Sequence, residues 1–230
     1  MTAIHETAYP RLKPIYAEEE LTELYSPAAR ELHFVKGHLP DLAQQVTGLT
    51  LLKVFQRVGY FPLWNQLPAE IARHMVGCLG PLFPPTISPT YDTSGTRSRH
   101  LKLIQDFLGV RAIGEETYQA MQQAAIRAAQ TKEHLADITN VMLEELIKER
   151  MELPAFSRFV RQARAARGLV NRQCFRTVAG LLSPAQQQDL DSLLASTEGN
   201  KPPVLGTNSS RNRLSRLRCT SEPTWPMPAG

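Results

Sequence analysis

Apolar residues recur along most of the chain at the three- and four-residue intervals of amphipathic α-helices. In the segment 42–58, for example, Leu42, Val46, Leu49 and Leu52 follow one another at these intervals. Alternating β-branched runs joined by Asn-Gly or Asp-Gly turns, which are typical of β-hairpins, are nearly absent. The pattern therefore predicts an all-α fold.

Capping and helix-breaking residues divide this pattern into separate helices. Ser26-Pro27 and Ser183-Pro184 have the form of an N-cap followed by a first-turn proline, and Gly59 and Gly109 are suited to ending helices. The predicted helices cover residues 17–25, 27–37, 41–59, 68–79, 93–108, 115–130, 134–151, 155–182 and 184–194.

A cluster of prolines predicts a boundary between two domains. Pro81, Pro84, Pro85 and Pro89 cannot continue a helix and suit a stiff linker. The last segment of the chain combines Pro, Ser, Asn, Arg and Gly without an apolar period, which favours disorder. The predicted parts are an N-terminal helical domain (1–80), a Pro-rich linker (81–93), a second helical domain (94–196) and a disordered tail (197–230).

Composition excludes several classes of protein. No apolar run approaches the roughly 20 residues of a membrane span, and the N-terminus lacks a secretory pattern, so we expect a cytoplasmic protein. The three cysteines form no CxxC motif and the six histidines lack ligand spacing, which predicts no disulfide framework, no metal site and no cofactor. GxSxG and Gly-rich phosphate motifs are also absent, so we expect neither a catalytic site nor a small-molecule substrate.

The strongest local signal is a run of arginines without acidic neighbours. Residues 153–188 contain no Asp or Glu. On a helix with 3.6 residues per turn, the arginines of this segment fall on one half of the surface, opposite Phe159, Ala163 and Ala166. We call this set the arginine face: Arg158, Arg161, Arg164, Arg167, Arg172 and Arg176.

Two interpretations of the arginine face are equally open from charge alone. Guanidinium groups without counterions repel one another, which favours a polyanionic partner. Alternatively, the face is simply solvated, or it pairs with Glu144, Glu145 and Glu149 of the preceding helix. The net charge of +4 permits an acidic partner without requiring one.

A second basic cluster opens the helix predicted at 93–108. Arg97, Arg99, His100 and Lys102 lie in its first turns, and Arg111 follows its end. A helix N-terminus suits phosphate groups because its free N–H groups and dipole add to the side-chain donors. The alternative is ordinary capping with exposed arginines, together with a partly buried His100 imidazole.

Five segments in fixed order resemble one known family. They are TELYSPAARELHFVKG, LLKVFQRVGYFP, TRSRHLKLIQDFLGVR, ELPAFSRFVRQARAAR and LLSPAQQQDLDSLL. Together they resemble the N-terminal region of class II replicative transposases, the Tn-three family. The resemblance runs from about Leu21 to Leu194, and its most specific pieces are residues 55–62 and 97–111.

The resemblance implies a function for both basic clusters. In that family this region is a set of helical domains that bind the terminal inverted repeats of the transposon. The resemblance therefore implies that the arginine face and Arg97, Arg99, His100, Lys102 and Arg111 contact double-stranded DNA. The family's metal-binding acidic triad lies in a C-terminal half that has no counterpart here, so we expect a non-enzymatic fragment.

Three functions remain in competition. The leading expectation is a truncated transposase that binds transposon ends, is associated with the nucleoid and competes with the intact enzyme. The alternatives are a helical protein-interaction module that holds transposase subunits together, and an inert product of a truncated gene. Residues after Lys201 depart from the family pattern, either because they are translated out of frame or because they form a basic tail that adds nonspecific DNA affinity.

Overall fold

The computed structural model describes residues 3–80 and 85–195 of the chain. In these two stretches the backbone forms nine α-helices, three single-turn 3₁₀ helices and no β-strand. The α-helices are α1 (Glu18–Tyr25), α2 (Ala29–His38), α3 (Leu42–Val58), α4 (Ala69–Leu79), α5 (Gly95–Leu108), α6 (Glu115–Ala129), α7 (Leu135–Lys148), α8 (Phe156–Leu181) and α9 (Pro184–Ala195). The predicted all-α fold is confirmed for this part of the chain. The predicted disordered tail (197–230) and residues 81–84 of the predicted linker lie outside the described residues.

Several helix ends have the capping chemistry that the sequence predicts. The Asp41 carboxylate accepts a hydrogen bond from the Gln44 N–H at 2.8 Å and begins α3. Gly59 ends the same helix with a left-handed backbone (φ 73°), which a residue without a Cβ adopts at no steric cost. Ser183 caps α9 by accepting from the Gln186 N–H at 3.3 Å.

The predicted N-cap of the second helix is wrong. Ser26 follows α1 as its C-cap, and α2 begins after Ala28. The Glu31 carboxylate accepts a hydrogen bond from the Ala28 N–H at 2.7 Å and so takes the role expected of a serine hydroxyl. The capping role that the sequence analysis assigned to Ser26, before the helix, is taken by Glu31, the third residue of the helix.

Two apolar clusters account for most of the helix packing. One lies between α6, α7 and α8 and includes Met142 and Phe159. The other joins α1 to α4 and includes Tyr25 and Ile71. Each buries one stripe of every helix that contributes to it, as the three- and four-residue spacing predicts.

A third apolar cluster connects the two sides of the predicted linker. It joins Leu51, Leu52 and Phe55 of α3 to Ile104 and Leu108 of α5. The first helix of the predicted second domain therefore packs against the longest helix of the first. The division into two domains stays a prediction, and these contacts identify the buried surface that the two sides share.

The N-terminal strap (residues 7–16) joins the first two clusters. The Tyr9 ring is buried in the α6–α8 cluster, with its centroid 5.8 Å from that of Phe159. Tyr16 belongs to the α1–α4 cluster, where its hydroxyl accepts a hydrogen bond from the Tyr25 hydroxyl at 3.0 Å. The two tyrosines thereby tie helices that are far apart in sequence.

The carboxylate of Glu31 is buried, and it accepts hydrogen bonds from a backbone N–H and from two side chains. Its side chain is 1% exposed, and its oxygens accept from the Gln56 amide at 2.7 Å and the Lys53 ammonium at 3.2 Å, besides the Ala28 N–H. The Lys53 side chain is itself 11% exposed. Buried charges are tolerated only when they are paired in this way.

Candidate nucleic-acid interface

The arginine face lies on α8, a single uninterrupted helix of 26 residues, about 39 Å long. Phe159, Ala163 and Ala166 are buried against α6 and α7, which confirms that this side of the helix faces the core. The exposed members of the arginine face are Arg158, Arg161, Arg164, Arg172 and Arg176.

The acidic residues of α7 do not neutralise the arginine face. Glu145 pairs with Arg127 of α6 at 3.1 Å, and Glu149 pairs with Arg111 at 3.1 Å. Among residues 3–80 and 85–195, none of the six α8 arginines forms an ion pair with a carboxylate. Among the described residues, this surface therefore has no carboxylate counterion.

Two arginines of the set also have structural contacts. The Arg167 guanidinium donates to the carbonyl oxygens of Ala129 at 3.0 Å and Lys132 at 3.2 Å, at the C-terminus of α6, where unpaired carbonyls favour a cation. The Arg158 guanidinium lies 5.9 Å from the centre of the Tyr118 ring. Arg167 is half-buried in this helix-capping contact, and its expected DNA contact stays a prediction.

The N-terminus of α5 uses its own side chains as caps. The Ser94 hydroxyl accepts from the Arg97 N–H at 3.2 Å. The Arg97 guanidinium pairs with the Asp92 carboxylate at 3.2 Å and donates to the Pro62 carbonyl at 2.8 Å, and its side chain is 11% exposed. Arg97 therefore fixes α5 to the loop after α3, and its expected phosphate contact stays a prediction.

His100 is buried beneath α5. Its Nδ1 lies 2.8 Å from the Tyr91 hydroxyl, and its Nε2 lies 3.3 Å from the Gln44 side-chain oxygen. A neutral imidazole with the proton on Nε2 satisfies both partners, because it donates to Gln44 and accepts from Tyr91. At 2% exposure the side chain is closed to solvent, which agrees with a buried imidazole rather than a DNA contact.

Burial makes stability depend on the charge of His100. The pKa of His100 is lowered, first because burial desolvates the imidazolium and second because Arg99 is nearby, and Asp41 opposes this only weakly. The unfolded chain then binds a proton more readily than the folded chain, so this contribution to stability is full above the unfolded pKa and is lost as the pH falls.

We expect the free energy of unfolding to fall as the pH drops below about 6.5, the pKa of an unperturbed histidine. His100→Gln should lose part of this dependence, whereas His33→Gln, at an exposed position on α2, should keep all of it. Urea denaturation followed by circular dichroism at about pH 5 and about pH 8 measures the difference. The same pH dependence in His100→Gln and in the unsubstituted protein would contradict the assignment.

Arg111 joins the segment after α5 to the loop between α7 and α8. Its N–H donates to the Arg150 carbonyl and its carbonyl accepts from the Glu152 N–H, both at 2.9 Å. Its guanidinium is paired with Glu116 at 3.0 Å as well as with Glu149. Arg111 is exposed but already neutralised, so it is a weaker candidate for a phosphate contact than the arginine face.

The loop bonded to Arg111 contains a further cation, Arg150, which was not predicted from the sequence. Arg150 has a left-handed backbone (φ 51°), uncommon for a residue with a Cβ, and its guanidinium lies beside Gly109. In the sequence it stands among glutamates, and only its backbone conformation marks it. Arg99 and Lys102, the remaining members of the α5 cluster, are exposed.

Other kinds of site find no support in the described chain. No group of three or more His, Cys, Asp or Glu side chains is placed to hold a metal ion there. Searching the same residues for a helix long and apolar enough to cross a membrane finds none.

Comparison with known proteins identifies one family. A family described as a domain of unknown function, DUF4158, matches residues 1–166, which include α1 to α7 and the buried first part of α8. No curated protein and no solved structure matches the chain. Because the match covers more than half of its residues, this chain belongs to the DUF4158 family.

Proposed function

We propose that this chain is a helical DNA-binding module that binds transposon terminal inverted repeats through the arginine face of α8. The observation that carries the proposal is the set of five exposed α8 arginines, which have no carboxylate partner among the described residues. The resemblance to replicative transposases of the Tn-three family supplies the identity of the DNA. The proposed partner implies a cytoplasmic protein that associates with the nucleoid.

The arginine face is suited to phosphates rather than to base edges. Long side chains spread over half of a helix can follow a charged backbone, but they do not converge on one base pair. Each phosphate that they neutralise releases condensed counterions, which is the main source of sequence-independent affinity. Arg99 and Lys102 of α5 are further exposed cations and are proposed as additional DNA contacts.

The proposal assigns binding and no catalytic step to these residues. Described carboxylates near the basic clusters, such as Glu116 and Glu149, are engaged in ion pairs with Arg111. Asp189 and Asp191 of α9 are exposed and two residues apart, so they point to different sides of the helix. Cleavage or strand transfer of DNA is therefore expected to require a different polypeptide segment.

Fluorescence anisotropy tests the proposal directly. The full chain is titrated into a labelled duplex that carries the terminal inverted repeat of a Tn-three-family transposon and into a shuffled duplex of equal composition, at about 0.15 M salt. We expect the repeat to be bound at least about tenfold more tightly. Equal affinities would reject recognition of the repeat and leave backbone binding alone, whereas no binding to either duplex would reject the proposal.

A further inference from the structure

The C-terminus of α7 has the hydrogen bonds of a Schellman motif. The Met151 N–H donates to the Leu146 carbonyl at 2.9 Å. The Arg150 N–H donates to the Ile147 carbonyl at 3.1 Å. This pair of bonds goes with a left-handed backbone at position 150, where Arg150 has a φ of 51°. Glycine is the usual residue there, because it lacks the Cβ that makes a left-handed backbone costly.

Other helices of this chain use glycine at the same kind of end. Gly59 after α3, Gly80 after α4 and Gly109 after α5 all have a positive φ. Within residues 3–80 and 85–195, Arg150 is the one residue with a side chain that shares this conformation. Such departures from favoured backbone geometry cluster at functional sites, where the side chain has a role that the fold alone does not require.

The contacts of the Arg150 guanidinium do not explain why an arginine stands there. Its side chain is half-buried, yet it has no hydrogen-bond acceptor and no ion pair among the described residues. Arg97 and Arg167 are also half-buried, and both donate to carbonyl oxygens of the fold. A helix C-terminus favours a nearby cation, but Lys148 in the last turn of α7 supplies one without a left-handed backbone. Because the Arg150 N–H groups are not sealed from water, they are available to an acceptor outside the fold.

The two acidic residues nearest to Arg150 in the sequence have other partners. Glu149 pairs with the Arg111 guanidinium at 3.1 Å. Glu152 accepts a hydrogen bond from the Gln105 amide at 2.8 Å. Neither carboxylate lies within ion-pair distance of Arg150. The described part of the chain therefore supplies this guanidinium with no anion.

Arg150 lies near the N-terminal end of the arginine face. Arg158, the first member of that face, lies 5.9 Å from the ring of Tyr118 in the first turn of α6. The Arg111 N–H donates to the Arg150 carbonyl at 2.9 Å, and the Arg111 guanidinium pairs with Glu116 in the same turn of α6. Eight residues of chain allow at most about 29 Å between the Cα atoms of Arg150 and Arg158. One turn of B-DNA, about 34 Å, is long enough to reach both.

We propose that Arg150 is a DNA-contacting residue, and that its guanidinium binds a phosphate of the duplex that the arginine face of α8 binds. The inference rests on the proposed DNA-binding function and extends the contact from α8 to the loop before it. The left-handed backbone holds the guanidinium beside Gly109, at the C-terminus of α5. A phosphate contact accounts for an arginine at a position where glycine would make the helix end more stable.

Arg150→Gly tests the proposal because it should weaken DNA binding without weakening the fold. The melting temperature should stay the same or rise by a few degrees, since relief of the left-handed backbone offsets the extra freedom of glycine in the unfolded chain. The affinity for a duplex at about 0.1 M salt should fall about five- to tenfold, and the salt slope should shrink by about 0.9, the effect of one lost phosphate contact. Anisotropy titrations of the full chain and thermal melts followed by circular dichroism measure these quantities.

Two variants serve as controls for Arg150→Gly. Arg150→Lys keeps both the charge and the side chain on a left-handed backbone, so it should keep most of the affinity and the same melting temperature. Arg73→Ala removes one positive charge from an exposed position on α4 and should leave affinity and salt slope nearly unchanged. An unchanged affinity in Arg150→Gly would overturn the proposal. A lower melting temperature in that variant would also overturn it, because the arginine would then serve the helix end.

The outcome for Arg150 is separable from the outcome for the proposed function. If the combined replacement of Arg158, Arg161 and Arg164 by alanine lowers the affinity and Arg150→Gly does not, DNA binding by α8 stands and the Arg150 contact is rejected. If the unsubstituted chain binds no duplex, the proposed function fails, and the Arg150 contact fails with it.

Photocrosslinking provides a readout that does not depend on affinity. The three native cysteines are first replaced by serine: Cys78, Cys174 and Cys219. A benzophenone maleimide attached to Arg150→Cys should then crosslink to the bound duplex on irradiation, whereas the same label on Arg73→Cys should not. A bound duplex that is not crosslinked from position 150, or is crosslinked equally from position 73, would overturn the proposal.

Discussion

Replacing Arg158, Arg161 and Arg164 together with alanine is expected to weaken binding to every duplex by a similar factor and to flatten its salt dependence. These residues are exposed and lack carboxylate partners among the described residues, so in the proposed complex DNA phosphates would be their counterions. The slope of log K against log[salt] should shrink by about 0.9 for each phosphate that is no longer neutralised. If each of the three arginines neutralises one phosphate, the affinity at about 0.1 M salt should fall on the order of a hundredfold. Anisotropy titrations at several salt concentrations measure both quantities.

A control must remove the same charge from elsewhere on the protein. Arg11, Arg73 and Arg127 are exposed and lie outside α5 and α8. Their combined replacement by alanine changes the net charge equally and should leave the salt slope nearly unchanged. If the two triple variants behave alike, the effect comes from net charge and the arginine face has no special role. A salt slope that neither variant alters means that these arginines point away from DNA.

Glu31→Ala is expected to lower the free energy of unfolding by about 3–5 kcal/mol, the cost of leaving one partner of a buried ion pair alone. The substitution removes the acceptor for the Lys53 ammonium, the Gln56 amide and the Ala28 N–H, in a place that water does not reach freely. It also removes the carboxylate that caps α2. Urea denaturation monitored by circular dichroism measures the change in stability.

The double variant Glu31→Met with Lys53→Met separates charge from packing. Replacing both partners by apolar side chains of similar size leaves no buried charge unpaired, and such replacements are often close to neutral. We therefore expect the double variant to be more stable than Glu31→Ala, even though it carries one more substitution. A decrease below about 1 kcal/mol in Glu31→Ala would show that solvent reaches Lys53 and that the pair contributes little.

Local chemistry makes the helices predictable from the sequence. Asp41, Gly59 and Ser183 each act on backbone within a few residues, so their effect is independent of the distant chain. The start of the second helix is harder to predict for a related reason. Ser26 and Glu31 can both satisfy the first N–H groups, and only the tertiary contacts of Glu31 with Lys53 and Gln56 decide between them.

The residue types of the candidate site can be predicted from the sequence. The exposure of each side chain can be predicted only in part. Helical periodicity alone places the α8 arginines opposite Phe159, and the structure agrees. The environments of Arg97 and His100 depend on partners 35 and 56 residues away, Pro62 and Gln44. No pattern in the sequence of α5 reveals those partners, so an internal arginine and a phosphate-binding arginine look the same there.

The exposed apolar residues in the second half of α8, Phe175, Val178 and Leu181, present the opposite difficulty. Their spacing in the sequence is that of a core-facing helix, and nothing in that spacing says whether the covering surface belongs to the same molecule. The structure supplies the missing fact, because α6 ends near Gln130 while α8 continues to Leu181. An unequal length of neighbouring helices is a property of the tertiary fold and has no signature within one helix.

Arg167 holds α8 at one point, beyond which the rest of the helix protrudes. It pins α8 to the end of α6, and the rod from Gly168 to Leu181 reaches about 21 Å past that point. A tilt of about 10° at Arg167 therefore displaces Leu181 by about 4 Å, many times the movement at Arg167 itself. This angle sets the position of Arg172 and Arg176 relative to Arg158, Arg161 and Arg164. Substitutions at the end of α6 would thus change how the arginines of the arginine face are spaced without removing any of them.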